Sequence, residues 1–67
     1  MNHDVYLTPL PGDRVISRCC SVHGEIASRL YDPPRVEISV RWNDGALEIY
    51  DVSRFVSDGP SAWELTQ

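Results

Sequence analysis

Arg35-Val36-Glu37-Ile38-Ser39-Val40-Arg41-Trp42 is the stretch that decides the fold. Val36, Ile38, Val40 and Trp42 alternate without a break with Arg35, Glu37, Ser39 and Arg41. A two-residue period of this kind marks a strand with one dry face and one wet face. Asn43-Asp44-Gly45 follows, and Asp-Gly is a strong hairpin signal, so Ala46 to Val52 is expected to return as a neighbouring strand. On the other side Asp32-Pro33-Pro34 is a turn, because prolines donate nothing to a ladder and Asp favours turn starts. Gly24 to Tyr31 is the strand before it.

Outward from this meander, Gly12 to Arg18 is a further strand after a turn glycine, and Cys19 to His23 connects the two. Ser53-Arg54 forms a tight turn before a short fifth strand, Phe55 to Ser57, and Asp58-Gly59-Pro60 ends the unit. Three regions result. Residues 1–11 are an extended segment held open by Thr8-Pro9-Leu10-Pro11, with Val5 and Leu7 as candidates for a sheet edge. Residues 12–58 form the domain. Residues 59–67 form a tail in which Trp63 and Leu65 pack back or fray.

Cross-strand arithmetic gives the expected registers. A three-residue loop at Asp32-Pro33-Pro34 sets Leu30 against Val36, Arg29 against Glu37, Ala27 against Ser39, Ile26 against Val40 and Glu25 against Arg41. A two-residue loop at Asp44-Gly45 sets Trp42 against Leu47, Arg41 against Glu48, Val40 against Ile49 and Ser39 against Tyr50. Both registers put apolar residues on one face and opposite charges on the other, and a one-residue slip would exchange the faces. The expected core is Val15, Ile26, Leu30, Val36, Ile38, Val40, Leu47, Ile49, Val52 and Phe55. A meander with one apolar face must cover it, which the first and fifth strands do by curling round. The expectation is an all-β, five-stranded, antiparallel, partly open small barrel.

The chain of 67 residues carries six Arg, no Lys and ten acids, a net charge of −4. All six Arg lie between Arg14 and Arg54, where the charge nearly balances. There is no basic stripe, so nucleic acid is not an expected partner. Arginine without lysine hints at a GC-rich prokaryotic or mobile-element gene. No apolar run approaches the ~18 residues of a membrane span, and Met1-Asn2-His3-Asp4 lacks the basic start of a signal peptide. Adjacent Cys19 and Cys20 cannot build a disulfide framework, so a reducing, cytoplasmic setting is expected.

The order of signals resembles the SH3-like small-barrel superfamily that includes Tudor and KOW domains. Those signals are Gly12-Asp13-Arg14-Val15, Gly24-Glu25-Ile26, an alternating strand ending in Trp42, then Asp44-Gly45 and a fourth strand. Gly12-Asp13-Arg14-Val15 and Leu47-Glu48-Ile49-Tyr50, with Val52 after it, also resemble the plasmid-borne type II dihydrofolate reductases. Those are short SH3-like barrels assembled as tetramers around one pore. That likeness implies an oligomer. It departs at Glu48, where the family has a glutamine, and near Ser17 and Arg18, where it has a lysine for the folate tail. An acidic pore repels anionic folate and NADPH.

The chemistry-bearing residues have plainer accounts. Cys19, Cys20 and His23 lack the spacing of a zinc site, and His3 would be only a distant fourth ligand, so no metal or other cofactor is expected. Glu25, Glu37 and Glu48 fall beside arginines. Trp42, Tyr31, Tyr50 and Phe55 could form a Tudor-type aromatic cage, but Trp42 and Phe55 fall on the core face. The functional expectation is a non-catalytic binding module that contacts a protein partner and associates with itself. Its expected surface is Tyr50, Ser39 and Ala27, rimmed by Glu48, Arg41 and Glu25. The alternatives are a type II reductase-like enzyme and a KOW- or Tudor-like barrel contacting nucleic acid or protein.

Overall fold

The computed structural model describes residues 8–19 and 21–66; the expectations for His3, Val5, Leu7 and Cys20 lie outside them. The strands are β1 (Arg14–Ser17), β2 (Val22–Asp32), β3 (Arg35–Trp42), β4 (Leu47–Asp51), β5 (Phe55–Ser57) and β6 (Ala62–Leu65). A 3-10 turn, Val52–Arg54, separates β4 from β5. The strands form one curled sheet in the order β4-β3-β2-β1-β6-β5, an open half-barrel.

This corrects the expected five antiparallel strands to six in a mixed sheet. Ala62–Leu65 pairs in parallel with β1, setting Val15 beside Trp63, and antiparallel with β5. The reason is burial. Trp63 and Leu65 alternate with Ala62 and Glu64, and as a strand they place both large side chains inside. The reversal before β6 is closed by Asp58 N–H donating to the Ala62 carbonyl at 2.9 Å. Gly59 supplies the left-handed backbone there, at φ +113°.

The loops differ from expectation by one residue each, in opposite senses. Between β2 and β3 the loop is Pro33-Pro34 alone, with Asp32 opposite Arg35. A bulge between Ile26 and Ser28 absorbs the difference, so Ile26 faces Val40 and Glu25 faces Arg41 as expected. Between β3 and β4 the loop is Asn43-Asp44-Gly45. Gly45 N–H donates to the Trp42 carbonyl at 2.9 Å, and Trp42 N–H donates to the Ala46 carbonyl at 2.8 Å. Gly45 sits at φ +94°, the three-residue hairpin with a glycine bulge rather than the two-residue turn. The Asp44 carboxylate holds it by accepting from Ala46 N–H at 2.9 Å. The extra residue slips β4 by one: Arg41 faces Leu47, Val40 faces Glu48, Ser39 faces Ile49 and Ile38 faces Tyr50.

The slip turns β4 over. Val15, Ile26, Ile38, Val40, Trp42, Phe55, Trp63 and Leu65 form the core, with Val22, Val36, Tyr50 and Val52 packed at its margin. Leu30, Leu47 and Ile49, expected inside, are 60%, 58% and 66% exposed.

Candidate interaction site

The expected surface residues divide between the two faces of the sheet. Ser39, Arg41 and Glu25 lie on the outer, convex face, where Arg41 stands between Glu25 and Leu47. Ala27 sits half-buried in the β2 bulge. Ser28, not Ala27, faces Ser39, and their hydroxyls are hydrogen-bonded. Tyr50 and Glu48 lie on the inner face, opposite buried Ile38 and Val40. The row Tyr50–Ser39–Ala27 therefore does not form. Nor does the pairing of Arg29 with Glu37: Arg29 Nη1 donates to Thr8 Oγ1 at 2.7 Å, while Glu37 binds Arg35 at 3.0 Å.

On the inner face β3, β4 and the 3-10 turn gather a polar–aromatic cluster. Glu48 Oε1 accepts two hydrogen bonds, from Trp42 Nε1 at 3.1 Å and from the Tyr50 hydroxyl. The Tyr50 ring meets Trp42 edge to face at 6.3 Å and Phe55 likewise at 6.2 Å. The Arg54 guanidinium lies 5.6 Å from the centre of the same ring, and its Nε donates to the Thr66 carbonyl at 2.7 Å. Burial, and then the hydrogen bond to Glu48, push the Tyr50 hydroxyl pKa above the usual phenol range. The cluster borders an open recess of about 250 Å³ reached past Ser17, Val22 and Ala46. Of the four aromatics weighed as a cage, Trp42 and Phe55 are core, Tyr50 bridges them, and Tyr31 is exposed elsewhere.

On the outer face β4 presents Leu47 and Ile49 to solvent. Beside them stand Arg41 and Ser39 of β3, too short or too polar to cover them. Because β4 ends the strand order, its far side has no neighbouring strand among the described residues. Sequence reasoning missed this surface because a Leu-x-Ile spacing on a short strand reads as core. The signal that could have found it is Tyr50, whose large ring serves the inner face as well as an aliphatic would.

Among the described residues no three His, Cys, Asp or Glu side chains gather as a metal-ligand group, and no helix is long and apolar enough to cross a membrane. No protein-family model, curated protein or solved structure matches the chain.

Proposed function

We propose that this chain is a non-catalytic interaction module on an SH3-like small barrel, and that its partner is a second copy of itself. The observation that carries the reading is the pair Leu47 and Ile49. Two large aliphatic side chains, each more than half exposed, stand two residues apart on an edge strand. Exposed single aliphatics are ordinary, but an apolar strand edge is a surface that other chains pair with. A domain this small also gains from association what its own core cannot supply. The chemistry of the inner cluster supports a binding role over catalysis. The Glu48 carboxylate is engaged by Trp42 and Tyr50, and its charge disfavours the anionic substrates that a type II reductase-like site would take.

The test is light scattering after size exclusion, from low to high micromolar protein, on the native chain and on Leu47→Asp. The expected result is a mass twice the monomer's that reverts to the monomer's in the variant. A native chain that stays monomeric across the range overturns the reading.

A further inference from the structure

We infer that β4 is completed by β4 of a second copy, running antiparallel, with the two-fold axis through Ile49. This rests on the self-association proposed above and specifies its geometry.

The backbone decides which groups are available. Trp42 N–H donates to the Ala46 carbonyl, so Trp42 and Ala46 form a hydrogen-bonded pair of the β3–β4 ladder. Such pairs alternate along antiparallel strands. Val40–Glu48 and Ile38–Tyr50 are therefore the next bonded pairs on the observed register. Glu48 and Tyr50 point their N–H and C=O groups at β3. Leu47 and Ile49 point theirs away, along the end of the sheet, as does the Asp51 N–H, while the Asp51 carbonyl begins the 3-10 turn.

Of the antiparallel registers centred on a residue of β4, those at Glu48 and Ile49 pair both Leu47 and Ile49 with residues of the second β4. With the axis at Glu48, the two Glu48 carboxylates stand directly opposed, which is destabilising, and only the Leu47–Ile49 pairs bond. With the axis at Ile49, Ile49 faces Ile49, each Leu47 faces Asp51 of the second copy, and each Glu48 faces Tyr50 of the second copy. The two Ile49 residues then exchange both of their hydrogen bonds, and each Leu47 carbonyl accepts from the Asp51 N–H of the second copy. On the convex face the two Ile49 and two Leu47 side chains form one apolar patch. On the concave face each Glu48 stands opposite the Tyr50 side chain of the second copy, not opposite another carboxylate. At this register Ile49 packs on Ile49 and no two carboxylates are directly opposed.

The two ends of the sheet are not equivalent. Edges are commonly blunted by lysine, proline, a bulge or brevity. The opposite edge, β5, is three residues long. β4 is five residues, Leu-Glu-Ile-Tyr-Asp, with no lysine, proline or bulge, and its one inward charge, Glu48, is held by Trp42 and Tyr50. The net charge of −4 per copy opposes approach at a distance, so association at this edge strengthens with salt as the repulsion is screened.

The experiment is amide hydrogen exchange by NMR on the native chain over a concentration series, with Ile49→Pro and Ile49→Thr beside it. The expected result is that the Ile49 and Asp51 amides exchange at least about tenfold more slowly as the dimer fills, while those of Glu48 and Tyr50 stay protected throughout. Ile49→Pro should remain monomeric with the native inner ladder, because the lost N–H points away from β3. Ile49→Thr, which keeps that N–H, should retain measurable dimer. A dimer whose outward amides exchange as fast as in dilute protein overturns the edge geometry and leaves self-association standing. A chain that is monomeric at every concentration overturns both. Should Ile49→Pro fail to fold, the native exchange pattern alone decides.

Discussion

The indole Nε1 of Trp63 donates to Asp13 Oδ2 at 2.9 Å, joining side chains fifty positions apart. The same carboxylate oxygen accepts from Leu10 N–H at 3.1 Å. Next to it the backbone of Asp13 takes part in the β2 bulge, its carbonyl accepting from Ile26 N–H at 2.8 Å. One aspartate thus fastens the turn before β1 to both β2 and β6.

Removal of either partner of this contact should weaken the fold. Asp13→Ala and Trp63→Phe each lose a hydrogen bond to a charged group, for about 1–3 kcal/mol apiece. The double variant should cost less than the sum by about 1 kcal/mol, because the two residues interact directly. Urea unfolding of the four proteins checks this, and strict additivity would mean that the bond contributes nothing.

Core and surface should separate sharply along β4 and β6. Leu65→Ala removes a buried side chain and should cost ~2–5 kcal/mol, and Ile38→Ala similarly. Leu47→Ala, measured in protein dilute enough to be monomeric, should change stability by no more than ~0.5 kcal/mol. Thermal or urea melts rank the three, and a Leu47→Ala loss as large as that of Leu65→Ala would restore Leu47 to the core.

Two glycines should resist alanine for different reasons. A Cβ on Gly24 would stand 2.3 Å from the Arg41 carbonyl oxygen, with the Trp42 Cα at 2.9 Å. Both are backbone atoms that cannot swing away, so Gly24→Ala should cost about 1–3 kcal/mol or more. Gly45 has open space around it, and only its φ of +94° resists a side chain, for ~1–2 kcal/mol. Urea midpoints should order the native chain, Gly45→Ala and Gly24→Ala from most to least stable.

The alkaline limb should report Tyr50. Its pKa is raised in the fold, so the folded chain favours the neutral phenol. That stabilisation is whole below the unfolded phenol's pKa of ~10 and is lost as pH rises through the folded value. Tyr50→Phe lacks the group, so the stability gap between it and the native chain should narrow above about pH 10. Urea midpoints from pH 8 to 11 follow this, and a gap that widens would reverse the sign.

The β3 strand and both of its hairpins are legible in the sequence because β3 alternates through eight residues. The faces of β4 are not, and the reason is a single loop residue. Asp44-Gly45 fits a two-residue turn as well as the end of a three-residue one, and the alternation in Leu47-Glu48-Ile49-Tyr50 offers two workable inner faces. Leu47 with Ile49 is the more hydrophobic choice. Tyr50 is inside because its ring packs between Trp42 and Phe55, contacts that no local pattern displays. β6 is hidden by brevity: four residues after a Gly-Pro turn look like a tail, although Trp63 and Leu65 already carry the two-residue period. Of the residues expected to share one surface, Tyr50 and Glu48 lie on the other side of the sheet from Ser39, Arg41 and Glu25.

The place of β6 in the sheet also sets an order of events. It is the last of the six strands to leave the ribosome, yet it lies in the interior of the sheet, between β1 and β5. β5 is made earlier but, among the described residues, pairs with no other strand, so it waits for the strand that follows it. During synthesis β1 to β4 can form a meander of local contacts while β1 shows an unpaired edge and Val15 lacks Trp63 beside it. The half-barrel is then completed in one late docking step that joins distant parts of the chain, the kind of non-local closure that slows folding. A nascent chain stalled just before Ala62 would hold most of the sequence and little of the stability.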